Sequence, residues 1–208
     1  MNFYNSKIQL HKKVIDQIFQ QLKPGMKLLV FGLGYDSEMW YHATNKNTFF
    51  VENNEVYCKM NEKTINKKHI IKHNYDNITV AKSFALTLEQ IKKFEMPLEL
   101  IKNGPFDIIL IDGPGGYNST QPGRLLPCFW STLLIKPNGK IYIDDSSRAL
   151  EKHCINLFFS DWTKIFWEER MGTCMVTFTA PLTPTHQSPA PLNPRLKRPL
   201  PLPRAAGT

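Results

Sequence analysis

Long apolar runs are missing from this 208-residue chain. None approaches the roughly 18–20 residues that a bilayer-spanning helix needs, so no membrane partner is expected. The opening stretch, MNFYNSKIQLHKK, has no apolar core of the kind a secretory signal carries. Cysteine is scarce: Cys58, Cys128, Cys154 and Cys174 include no CxxC pair, which argues against a disulfide framework or a zinc ribbon. The six histidines share no ligand spacing, so zinc held by imidazole is not expected either. Together these absences predict a cytoplasmic protein. Acids and aromatics are absent from Ala180 onward, where eight of the fifteen prolines and four of the eight net positive charges collect. Such a segment cannot build a core. The expected organisation is a folded domain over residues 1–179 and a disordered Pro/Arg-rich tail over 180–208. The body then keeps a charge of only +4 with dispersed lysines, and a nucleic-acid partner is not required.

What is present centres on KLLVFGLGYDSEMW, Lys27 to Trp40. Four apolar residues run straight into Gly32-Leu33-Gly34, and an acid, Asp36, precedes a helical pattern. This is the strand, glycine turn and helix start that nucleotide-like cofactors use. A third glycine in the dinucleotide spacing would fall at Ser37 and is absent. A cofactor without a pyrophosphate is therefore favoured, and S-adenosylmethionine (SAM) fits.

The periodicity predicts a helix over Lys7–Leu22, closed by Pro24-Gly25, and further helices through Trp40–His42, over Glu55–Ile65 and over Ser83–Ile101 with a break at Pro97. Another lies within Gln121–Leu134, and the last covers Ser147–Phe159. Strands are expected at 28–31, 48–51, 69–72, 106–111 and 140–143, followed by a closing pair, 164–169 and 173–178, joined at Gly172. The predicted fold is α/β: a doubly wound, Rossmann-like sheet of seven strands, mostly parallel with an antiparallel close, helices on both faces.

Four acids mark the carboxyl edge of that sheet, where ligands bind. Glu52 ends the second strand and could accept hydrogen bonds from both ribose hydroxyls of a cofactor. Asp112 ends the fourth strand and opens the loop GPGGYNSTQPGR, whose large functional side chains are Tyr117 and Arg124. Arg124 could hold a carboxylate through its planar fork. Asp144 and Asp145 end the fifth strand, with Arg148, a further substrate-binding candidate, one turn later. Asp112, Asp144 and Asp145 would form an oxygen-rich set suited to Mg²⁺ or Mn²⁺, unless one of the adjacent pair caps the following helix.

The segments LVFGLGYDSEMW, TFFVENNEVY, FDIILIDGPGGYNSTQPGR and IYIDDSSRALE resemble the glucuronoxylan 4-O-methyltransferase family, also described as the polysaccharide-biosynthesis or irregular-xylem-like domain. The resemblance covers roughly Leu28 to Glu151. It implies a class I SAM-dependent O-methyltransferase acting on the 4-hydroxyl of a glucuronic acid unit in a glycan. By that match Phe31, Gly32, Gly34, Asp36, Ser37 and Glu52 would line the SAM site. Asp112, Tyr117, Pro122, Gly123, Arg124 and Asp145 would face a uronate-bearing acceptor, with Asp112 or Asp145 as general base. Members carry His where this chain has Tyr35 and Asp144. Two other readings stay open: methylation of a catechol-like or ribose hydroxyl, and a SAM-fold binding protein without turnover.

Overall fold

The computed structural model describes residues 7–168 and 174–182. The Gly172 connection and the tail beyond residue 182 lie outside the described residues. The strands are β1 Leu28–Phe31, β2 Thr48–Glu52, β3 Ile70–Lys72, β4 Phe106–Ile111, β5 Ile135–Ile143, β6 Thr163–Glu168 and β7 Cys174–Thr179. They form one sheet in the order β3-β2-β1-β4-β5-β7-β6. Pairs from β3 to β5 are parallel, while β7 runs antiparallel to both β5 and β6. This is the predicted fold class.

Near-continuous apolar strands make such a sheet because both of its faces are covered. Alternation then assigns the side chains. Leu29, Phe31, Ile109, Ile111, Ile141 and Ile143 join one core, and Leu28, Val30, Phe50, Ile108 and Leu110 the other. Helices α1 (Lys12–Gln21), α2 (Ser37–Ala43) and α3 (Glu55–Asn61) cover the second face with Ile18, Trp40 and Cys58. Helices α7 (Leu125–Leu134) and α8 (Ala149–Phe158) cover the first with Trp130 and Cys154. Emptying one central position, as in Ile109→Ala, typically costs about 2–5 kcal/mol.

Three local expectations are corrected. The first helix begins at Lys12, capped by His11, so residues 7–10 form an arm with Ile8 and Leu10 buried. The long helix expected over 83–101 is three short ones, α4 Val80–Ser83, α5 Leu88–Ile91 and α6 Leu98–Asn103. Thr79 and Thr87 each cap a new start, the latter in a reciprocal capping box with Gln90. Strand β5 starts at Ile135, directly after α7, and its pairing with β4 shifts register between Phe106 and Ile108. No helix among the described residues is long and apolar enough to cross a membrane.

Candidate active site

The ends of β1, β2, β4 and β5 lie side by side: Phe31 is in register with Val51 and Ile111, and Ile111 with Ile143. Whatever follows those residues is therefore gathered at one edge. Gly32 leaves β1 at φ +111°, a conformation that side chains oppose, and a Cβ there would lie 3.2 Å from the Gly113 nitrogen. Conversely, a Cβ on Gly113 would lie 2.9 Å from the Gly32 Cα. The turns after β1 and β4 thus touch backbone to backbone, which two glycines permit.

Glu52 is drawn over the first of these turns. Its Oε2 accepts from the Leu33 N–H at 2.7 Å, and its Oε1 from the Asn53 and Asn54 N–H groups at 2.8 and 2.6 Å. A carboxylate has about four acceptor sites, so three backbone donors leave capacity for a ribose hydroxyl. Ser37 closes the turn by accepting from the Gly34 N–H at 2.8 Å. Asp36 accepts from the Trp40 indole N–H at 2.8 Å. Burial nevertheless raises the Asp36 carboxyl above its ordinary value, the Trp40 bond opposing the shift.

At the ends of β4 and β5 the charges interlock around Arg124. Nη1 donates to the Asp144 carbonyl, and Nη2 to the Asp112 carbonyl at 2.7 Å and the Asp145 carboxylate at 2.8 Å. The same nitrogen lies 3.3 Å from Asp112 Oδ1 and 4.0 Å from Asp144 Oδ2. With its side chain only 3% exposed, Arg124 spends its fork on the protein itself. The expectation that it grips a ligand carboxylate is corrected for that reason. Arg148, 35% exposed, touches Asp145 at 2.9 Å through one nitrogen and is the more accessible cation. Asp145 holds its place with a left-handed φ of 54°, which costs an L-residue of this kind on the order of 1 kcal/mol. Asp112 opens to the cleft over 39% of its side chain. Burial of the rest, with Asp144 adjacent, raises its carboxyl well above the ordinary range against the pull of Arg124.

A cleft of about 800 Å³ runs between the two clusters, within the size of small-molecule sites. Gly32, Gly34, Asp36, Glu52, Asp112, Tyr117, Pro122, Arg124, Asp144, Asp145 and Arg148 all line it. Three residues expected at the site do not. The Phe31 side chain is fully buried in the core, and Ser37 faces the turn it closes. Gly123, at φ +71°, packs beneath Leu150 and Val80. Sequence reading missed Lys7, Tyr35, Asn53, Asn54 and Tyr57, which also line the cleft. Lys7 Nζ lies 5.2 Å from the Tyr35 ring centre, joining the N-terminal arm to the glycine turn. Asn53 and Asn54 were legible as neighbours of Glu52; nothing in the sequence marked the arm.

The donor set fits SAM: a strand-end carboxylate with spare acceptor capacity, a close-packed glycine turn and a cleft of suitable size. A divalent metal does not fit as well. Asp112, Asp144 and Asp145 each bring an oxygen within 4.8 Å of the others, but the Arg124 guanidinium already supplies positive charge there. Neither Asp144 nor Asp145 caps α8, whose N-cap is Arg148.

No protein-family model matches the chain. It is 26% identical over 151 residues to glucuronoxylan 4-O-methyltransferase 1 of Arabidopsis thaliana, covering 62% of this chain and 53% of that protein. It is 24% identical over 167 residues to Protein IRREGULAR XYLEM 15 of the same plant, covering 68% and 52%. The resemblance seen in the motifs thus extends along most of the folded body. The chain spans about half the length of these relatives. Among solved structures it is similar to a precorrin-6y C5,15-methyltransferase from Geobacter metallireducens (TM-score 0.50, 13% identity, 85% and 92% of the two chains). It is likewise similar to a Streptococcus mutans protein described as a methyltransferase, in complex with SAH (TM-score 0.50, 13% identity, 83% and 99%). These likenesses establish a class I methyltransferase fold.

Proposed function

We propose that the protein is a SAM-dependent O-methyltransferase whose acceptor is a hydroxyl on an acidic glycan, in the first instance the 4-hydroxyl of a glucuronic acid residue. One observation carries this reading: a single cleft joins the Gly32–Glu52 turn to Asp112, a carboxyl raised toward the pH at which a base works best. The relatives named for glucuronoxylan methylation support the acceptor class. Three acids at the cleft edge suit a phosphate backbone poorly, which weighs against a nucleic-acid acceptor.

When bound, SAM supplies an electrophilic methyl on its sulfonium. The protein must align the acceptor oxygen with that methyl and receive one proton. Alignment can supply about 7–11 kcal/mol in favourable cases. Asp112 takes the hydroxyl proton on a carboxylate oxygen as the new C–O bond forms and the S–CH3 bond breaks. Arg148 is the group suited to receive the uronate carboxylate. Glu52 would hold the cofactor ribose.

The test is incubation with SAM and glucuronate-bearing xylo-oligosaccharides, read by mass spectrometry. A gain of one methyl mass on the uronic acid is expected, with S-adenosylhomocysteine formed in equal amount. Tight SAM binding without methyl transfer to any glycan would overturn the acceptor, and failure to bind SAM would overturn the whole reading.

A further inference from the structure

Behind the cleft lies a carboxylate to which the proposed reaction assigns no task. Glu151, in the first turn of α8, is wholly buried. Neither of its oxygens has a hydrogen-bond partner among the described residues, and the same holds for Arg124 Nε. Those two orphaned groups face each other, Nε to Oε1, at 4.0 Å. Gly116 lies alongside, where a Cβ would rest in ordinary contact, 3.6 Å, with Glu151 Oε1. A buried carboxylate without compensation is too costly to keep, and the nearest compensating charge is Arg124.

We infer that Glu151 is a positioning residue that holds the Arg124 guanidinium from behind while its two Nη groups hold the ends of β4 and β5. Arg124 is then gripped at both ends. Its front donors hold the Asp112 and Asp144 carbonyls and the Asp145 carboxylate, and its rear Nε lies 4.0 Å from Glu151 Oε1. Asp112 is aimed into the cleft only as firmly as Arg124 is held. A misplacement of about 1 Å at such a point can cost about a hundredfold in rate. The inference rests on the methyltransferase reading for its rate consequence, but not for the contact itself.

Two measurements separate those parts. Glu151→Leu fills nearly the same volume without a partner for Nε, and Glu151→Gln keeps an acceptor without the charge. Glu151→Leu is expected to retain its melting temperature and SAM affinity while kcat falls ten- to a hundredfold. Glu151→Gln should recover part of that loss. Independently of turnover, proton NMR of the arginine side chains should show one slowly exchanging Nε–H in wild type that exchanges fast in Glu151→Leu. A Glu151→Leu enzyme with wild-type kcat, or an unchanged Arg124 Nε–H, would overturn the inference. Loss of the protected Nε–H in a protein that methylates nothing would leave the contact standing and remove the methyltransferase reading.

Discussion

Asp112 is suited to accept a proton because burial and the neighbouring Asp144 act on it in the same direction. A base with a raised pKa is lost early on acidification: as pH falls through that value, the carboxylate fills with a proton and turnover stops. The acid limb of kcat/KM should therefore lie above the ordinary carboxylate value of about 3.9. Asp112→Asn should lower kcat/KM about 10²–10⁴-fold and abolish that limb, with SAM affinity little changed. A pH–rate profile whose limb survives the substitution would remove Asp112 from the role. The two arginines make a paired prediction. Arg148→Gln should cost about 1–3 kcal/mol in kcat/KM with a uronate acceptor and almost nothing once that carboxylate is reduced to an alcohol. Arg124→Lys should instead lower stability, by about 3–5 kcal/mol as for a broken buried pair, without changing acid-versus-alcohol preference. The type and spacing of Arg124 were legible in the PGR motif, but its depth was not. Burial of that guanidinium depends on where β4 and β5 end relative to each other, a contact between positions 112, 124 and 144 that no local pattern records.

Among the elements, strands β1, β2 and β4 were readable because each carries a run of three or four apolar residues (LLVF, FFV and IILI) that both sheet faces cover. The segment from Val80 to Asn103 was not, since its apolar spacing suits one helix while its caps divide it into three. The loop after β4 depends on Gly123 in a way that can be measured. A Cβ there would meet Leu150 Cδ2 at 2.4 Å and Val80 Cγ2 at 2.9 Å, at a positive φ. Gly123→Ala should cost roughly 2–4 kcal/mol of stability, strain and overpacking adding, as chemical denaturation would show. His69, ahead of β3, makes a pH prediction of definite sign. Its Nδ1–H donates to the Thr48 carbonyl at 3.0 Å, and burial lowers its pKa. Protons then bind the unfolded chain first, so its stabilising contribution is complete above the ordinary imidazole value of about 6.5 and is lost as pH falls toward the lowered one. His69→Gln, which keeps a donor, should therefore lose less stability than wild type between pH 7 and pH 5. Equal losses in the two proteins would rule the effect out.

For the molecule as a whole, the strand count and the parallel-then-antiparallel order followed from the alternation of runs. The cleft did not, because one wall is the arm of residues 7–10, brought in from outside any motif. A ligand that binds only the folded state at a hundred times its Kd adds about 2.7 kcal/mol of stability. SAM at that excess should raise the melting temperature by about 5–10 °C for a body of this size, whereas NAD should leave it unchanged. A rise with NAD and none with SAM would contradict the cofactor assignment.

The contact between Gly32 and Gly113 has a consequence for the order in which ligands are taken up. One glycine belongs to the turn beneath Glu52 and the other to the loop that Asp112 opens, and they meet with no side chain to absorb a shift. A ligand that settles either turn settles its neighbour, so the second ligand finds part of its ordering cost already met. By thermodynamic reciprocity, S-adenosylhomocysteine must then tighten acceptor binding by the same factor as the acceptor tightens S-adenosylhomocysteine. Titrations run in both orders should close that cycle with a factor well above one. Enlarging the contact, as in Gly113→Ala, should bring the factor toward one even where each ligand still binds alone.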